Sequence, residues 1–210
     1  MNKKIKVSIV GGSGYTGIEL LRLLSLHPNI EINHITSRND ADKFVHDIYP
    51  SLRGVLSHKF VSPDDVDLKE SNLVFFATPN GIAMKYAKGL MENGVKIIDL
   101  AADFRIKDLN EWEKWYEMSH ECPEILKKSV YGLPELNRAQ IKNAQLIANP
   151  GCYPTAIQLA LFPLLKEGLI DPLSIIADAK SGTSGAGKKN KVDLLMSEAS
   201  ENFKAYSLEG

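Results

Sequence analysis

Ile5-Lys6-Val7-Ser8-Ile9-Val10 runs without interruption into Gly11-Gly12-Ser13-Gly14-Tyr15-Thr16-Gly17, and leucines then line one face of residues 18–26. A short apolar run reads as a buried strand and the leucine spacing as a helix, so the order is strand, glycine turn, helix. A dinucleotide site requires that context, because glycines there let the backbone approach a pyrophosphate seated on the helix N-terminus. The glycines at 11, 14 and 17 follow G-x-x-G-x-x-G, with Gly12 in the intervening slot. Gly11, Gly12, Ser13, Gly14, Tyr15, Thr16 and Gly17 are therefore candidate cofactor contacts. A purely structural βα turn is the competing reading.

Working outward, a second strand is expected over 30–35, ending at Thr36-Ser37-Arg38. Such folds read the adenosine ribose at this point, with a carboxylate for NAD or an arginine for the extra phosphate of NADP. Ser37 and Arg38 stand there, which points to NADP, against a solvated loop arginine as the alternative. Residues 39–61 are irregular and read as a loop with short elements. Ser62-Pro63-Asp64-Asp65 resembles a helix cap, and 73–77 a buried strand ending in Thr78-Pro79-Asn80-Gly81. Ligands of open α/β sheets bind beyond the carboxyl ends of strands, so Thr78 and Pro79 are candidate cofactor contacts. A helix to Asn93, a strand over 95–100 and a turn-rich 130–136 follow, and 146–148 is one more strand. Trp112, Trp115 and Tyr116 fall at helical spacing and read as core.

That last strand leads into Asn149-Pro150-Gly151-Cys152-Tyr153-Pro154-Thr155. Proline is favoured in a first helical turn, so Pro154 puts Cys152 at or just before a helix N-terminus, with Pro163 expected to bend or break the helix. Open N–H groups and the helix dipole favour the thiolate there, which makes Cys152 a candidate nucleophile rather than an inert packed cysteine. A strand is expected over 175–179. Next, Gly182 to Lys188 satisfies most of the phosphate-loop pattern G-x-x-x-x-G-K-[ST], but Lys189 occupies the place of the magnesium-binding hydroxyl. A basic glycine loop facing an anionic substrate or the cofactor fits better than a phosphotransferase site.

The composition sets wide bounds. With 25 basic and 26 acidic side chains interspersed, the net charge of −1 gives no footprint for nucleic acid or an anionic membrane. Two cysteines make neither a disulfide framework nor a zinc spacing, which fits a reducing cytoplasm. No metal site is expected. The fold expected is a doubly wound, Rossmann-type parallel α/β sheet over 1–150, followed over 151–210 by the start of a second α+β domain.

Together these stretches resemble the N-acetyl-gamma-glutamyl-phosphate reductase family, the NADP-dependent enzymes of arginine synthesis. Gly11 to Gly17 is similar to that family's cofactor turn and Ser37-Arg38 to its ribose-phosphate reader. Asp99 to Arg105, Tyr131-Gly132-Leu133-Pro134-Glu135 and Ser184-Gly185-Ala186-Gly187 also match its stretches, and Asn149 to Thr155 is its most distinctive signature. The resemblance implies that Cys152 attacks an acyl phosphate and that the resulting thioester is reduced to an aldehyde. It implies cofactor contacts at Ser184 and Gly185, with Arg105, Asn149 and Lys188 as candidate substrate contacts. A small-molecule substrate and a homo-oligomeric full-length form are expected. The family's acid/base histidine is expected beyond Gly210, since none of the five histidines has a matching context. The sequence accordingly reads as C-terminally truncated, binding NADP weakly and turning over slowly or not at all. The alternatives are a carrier-protein-linked aminoadipyl phosphate or aspartyl phosphate as substrate, and a non-catalytic NADP-binding module.

Overall fold

The computed structural model describes residues 3–206, which divide into two compact units, one reaching Ala177 and the other beginning at Asp178. The first unit is built on six parallel strands: β1 (Ile5–Val10), β2 (Ile30–Thr36), β3 (Leu73–Phe76), β4 (Lys96–Asp99), β5 (Val130–Tyr131) and β6 (Leu146–Ala148). Their spatial order is β2-β1-β3-β4-β6-β5. The chain leaves β1 toward one side for β2 and then returns to the other side for β3, so the crevice where such sheets bind ligands lies between β1 and β3.

Alternation along the strands explains the layering, because successive side chains of a strand point to opposite faces. Ile9 joins Leu21, Ile32, Ile35 and Phe60 in a core on one face, beneath helix α1 (Tyr15–Leu24). Val10 joins Val74, Phe76, Ile97 and Leu146 on the other, packed against α2 (Ala83–Glu92) and α3 (Leu109–Tyr116). Trp112 is fully buried, its indole N–H donating to the Ala102 carbonyl at 2.9 Å. Trp115 corrects the core reading: one turn further along α3 it is 55% exposed, with Lys114 over its ring.

Three further departures have local causes. Helix α1 starts at Tyr15, three residues before the leucine stripe suggests, because the glycine turn itself closes the first helical turn. Residues 130–131, which look like turn from their glycine and proline neighbours, add an edge strand beside β6. The strand expected over 175–179 does not form. Ile176 is 93% exposed, and among the described residues no strand lies beside this run to take its backbone hydrogen bonds. After α4 (Pro134–Asn143), α5 (Cys152–Lys166) passes straight through Pro163, which removes one backbone bond without breaking the helix.

Candidate active site

The register aligns Thr36, Val10, Phe76, Asp99, Ala148 and Tyr131 in one row at the carboxyl edge of the sheet. Every segment singled out in the first unit leaves from that row: the glycine turn from β1, Ser37-Arg38 from β2, Thr78-Pro79 from β3, Arg105 after β4, and Asn149 to Cys152 from β6. The glycine turn and the thiol loop leave from strands three places apart, roughly 14 Å at the usual strand spacing. An extended dinucleotide bridges such a gap.

The glycines of the turn divide their labour. Gly11 has φ +83, and a Cβ there would lie 2.4 Å from the Ala77 carbonyl oxygen. At Gly17 a Cβ would lie 2.6 Å from both the Gly11 and Gly12 carbonyl oxygens, so α1 packs directly on the turn. Gly14 differs: it caps α1 at φ −85, and a Cβ would meet nothing nearer than 3.9 Å. Space is left open at the one glycine that faces the helix N-terminus, which is where a pyrophosphate would sit. Gly14→Ala is thus expected to leave the melting temperature within a degree or so and to weaken NADPH binding about tenfold. Gly17→Ala, forcing atoms into close-packed backbone, should cost about 2–3 kcal/mol of stability. Thermal melts alongside fluorescence titration of both variants check the split, and a large loss of stability in Gly14→Ala would count against a ligand-facing role.

Beside the turn, the Ser13 and Ser37 hydroxyls are 2.8 Å apart, and the Tyr49 hydroxyl donates to the Ser13 carbonyl at 2.6 Å. Ser37 is buried, while Arg38 is exposed with no hydrogen bond or ion pair among the described residues. A part-buried hydroxyl pair, followed in the chain by an exposed arginine, fits a ribose phosphate. Thr78 packs its methyl toward Gly11, and its hydroxyl is buried without a partner. The neighbouring Asn80 side chain accepts from the Ala102 N–H.

Cys152 is exposed and is the first residue of the 15-residue helix α5. Gly151 occupies the cap with no side-chain hydrogen bond, and the first turn holds no acidic residue, so the helix's own first turn leaves its positive end unneutralised. The loop before it is held by Arg105. Its Nε donates to the Asn149 carbonyl at 2.8 Å and its Nη2 to the Leu100 carbonyl at 2.7 Å, tying the exit of β4 to the thiol loop. Nη1 faces Gly151, at 3.3 Å from where a Cβ would stand. Arg105 thus orients the loop through Nε and Nη2 and turns Nη1 toward Gly151. The Asn149 side-chain amide donates to the Pro150 carbonyl.

Two buried aspartates flank this junction, and sequence reading assigned them no role. Asp103 receives the Gly81 and Met84 N–H groups, capping α2 from outside its own segment. Asp99 receives the Ala101 N–H on Oδ1, while Oδ2 is buried with no partner. Burial, reinforced by the Asp103 carboxylate, raises the Asp99 pKa to about 7. His120 is no candidate acid/base: its Nδ1 accepts from the Cys122 N–H and its Nε2 donates to the Asp103 carbonyl, which fixes the ring inside the core.

Ser184, Gly185 and Lys188 belong to the unit that begins at Asp178. Ser184 and Gly185 lie in a 3-10 turn (Thr183–Ala186), which replaces the strand-loop-helix setting a phosphate loop needs.

Comparison with known proteins gives a consistent result. The family model described as semialdehyde dehydrogenase, NAD binding domain, matches residues 6–144, and that described as semialdehyde dehydrogenase, dimerisation domain, matches 152–210. The N-acetyl-gamma-glutamyl-phosphate reductase of Thiobacillus denitrificans is 57% identical over 98% of this chain and 60% of its own length. The protein of that name from Neisseria meningitidis is 55% identical over 100% of this chain and 61% of its own length. The chain therefore spans about 60% of the curated relatives it matches. Among solved structures, aspartate semialdehyde dehydrogenase II of Vibrio cholerae aligns with a TM-score of 0.59 at 20% identity, covering 78% of this chain and 47% of that one. The Candida albicans aspartate semialdehyde dehydrogenase with NADP aligns at 0.52 and 18% identity, covering 80% and 48%.

Proposed function

Because this chain belongs to the semialdehyde dehydrogenase family, we propose that it carries the cofactor half and the nucleophile of an NADPH-dependent reductase converting N-acetyl-glutamyl 5-phosphate to N-acetyl-glutamate 5-semialdehyde. One observation carries this reading. The exposed thiol of Cys152, heading an uncapped helix, shares a sheet edge with a glycine turn whose Gly14 leaves space for a pyrophosphate. The names of the most similar relatives support this substrate over other acyl phosphates.

In this mechanism the Cys152 sulfur attacks the acyl carbon, the bond from that carbon to the phosphate oxygen breaks, and a thioester remains on the protein. NADPH, when bound, supplies the hydride that reduces the thioester carbonyl. The carbon–sulfur bond then breaks, the aldehyde leaves, and Cys152 is restored. A covalent intermediate divides one difficult step into two easier ones. Gly14 and the N-terminus of α1 would hold the pyrophosphate, and Ser13, Ser37 and Arg38 the ribose phosphate. Thr78 and Pro79 would line the approach to the ring. Arg105 orients the thiol loop, and its Nη1, with Asn149, is proposed to meet the substrate's phosphate or carboxylate. The region matching the dimerisation model supports a homo-oligomer.

The reaction run backwards tests the reading. With the chain completed to the length of its relatives, N-acetylglutamate 5-semialdehyde with phosphate and NADP is expected to generate NADPH absorbance, at a rate well above that with NAD. A response to aspartate semialdehyde and none to the acetylated substrate would transfer the assignment to aspartyl phosphate.

A further inference from the structure

The pairing of β1 with β2 contains an irregularity that local sequence does not explain. Ile5, Lys6 and Val7 oppose Ile30, Glu31 and Ile32, but Ile9 and Val10 oppose Ile35 and Thr36. One residue of β1, Ser8, therefore faces two residues of β2, Asn33 and His34. Bulges in parallel pairs are rare, and an extra residue must find partners outside the ladder. Here the buried Ser8 hydroxyl accepts the His34 N–H at 3.2 Å and lies 2.7 Å from the equally buried Ser71 hydroxyl, which receives the Asn33 side-chain amide at 3.3 Å.

We propose that Ser8 is a positioning residue for cofactor selection: its hydroxyl holds the β2 bulge that sets Ser37 and Arg38 against the glycine turn. Beyond the bulge, Thr36 accepts the Gly12 N–H at 2.9 Å and the Ser37 hydroxyl meets that of Ser13 at 2.8 Å. Without the extra residue, β2 would lie one position further along β1. Ser37 and Arg38 would then overshoot the turn by roughly 3.3 Å and exchange faces. The adenosine phosphate would lose its reader, while Gly14, whose neighbours lie within the glycine turn and not in β2, would keep its open space for the pyrophosphate. Ser8 is neither on the ligand nor in contact with Arg38; it acts through strand register.

The inference rests on the NADP reading, and the test separates the two. NADPH and NADH affinities are measured by dihydronicotinamide fluorescence on the 210-residue chain carrying Ser8→Ala, Ser8→Thr or Arg38→Ala. Ser8→Ala is expected to weaken NADPH about tenfold, as when one hydrogen bond to a charged group is lost, and to leave NADH within about twofold. Ser8→Thr, which keeps the hydroxyl, should recover most of the NADPH affinity. Equal weakening of both cofactors by Ser8→Ala would mean that the domain is merely loosened, and the proposal fails. If Arg38→Ala selectively harms NADPH but Ser8→Ala does not, the inference fails and the NADP reading stands. If neither discriminates, both fall. Should Ser8→Ala not fold, Ser71→Ala removes the far end of the same hydroxyl pair and is judged by the same criterion.

Discussion

In a chain completed to the length of its relatives, replacing Cys152 with serine is expected to lower NADPH formation from N-acetylglutamate 5-semialdehyde and phosphate by roughly a thousandfold or more, as removal of a covalent nucleophile does elsewhere. A serine hydroxyl is a far weaker nucleophile than a thiolate, and His120, the buried histidine of this half of the sheet, has both ring nitrogens committed to backbone groups. Thiol labelling provides a second readout that does not depend on turnover. Cys122 is 3% exposed, and its pKa is pushed up to about 12 by burial, with Glu124 and other acids adding to the effect. At neutral pH its thiolate fraction is therefore about one in a hundred thousand. Iodoacetamide should modify Cys152 alone, and a full equivalent of the acyl phosphate should slow that labelling. If Cys152→Ser kept more than a tenth of the wild-type rate, the thioester route would be refuted, leaving at most a cofactor-binding fold.

The second large effect concerns stability. Asp99 has a folded pKa of about 7 against an ordinary 3.8, so the native state holds this proton far more tightly than the unfolded chain does. Its favourable contribution is complete below the unfolded value, falls as pH climbs from about 4 to 7, and is gone above the folded value. The whole interval corresponds to about 4 kcal/mol, at about 1.4 kcal/mol per pKa unit. Between pH 5 and pH 8, urea denaturation of the wild type should lose roughly 2–3 kcal/mol from this carboxyl. Asp99→Asn keeps an acceptor for the Ala101 N–H and cannot ionise, so most of that loss should vanish. The variant should be the more stable protein at about pH 8. Relief of Asp103, which shares the same burial, adds in the same direction. An unchanged drop in Asp99→Asn would show that Asp99 is ionised throughout and that its burial has been overestimated as a proton trap.

The two aspartates also illustrate what could not be read from the chain. Asp99 to Arg105 was legible as a stretch at a strand exit, but its three charged side chains have separate duties. Asp103 caps a helix 19 residues upstream, Asp99 is left half-satisfied, and Arg105 reaches 44 residues ahead to the thiol loop. Arg105 was expected to touch substrate, and the structure adds that two of its nitrogens donate to backbone carbonyls. Trp115 shared helical spacing with Trp112, yet only the side of α3 facing Ala102 is covered. A stripe two aromatics wide does not reveal where the neighbouring element ends.

Sequence alone determined the parts whose cause is local. The strand before Gly11, the glycine turn, the helix behind it and the thiol at a helix start all arise from a few neighbouring residues, and so does the parallel α/β class that their alternation implies. Tertiary structure alone decided the register that aligns the strand exits, the bulge at Ser8, the burial that protonates Asp99 and the Arg105 tie across the thiol loop. Each depends on groups distant in sequence, such as Ser8 and Ser71 or Arg105 and Asn149, being brought together in a desolvated interior. There a hydrogen bond or a lost hydration shell acquires its weight only after the chain has folded.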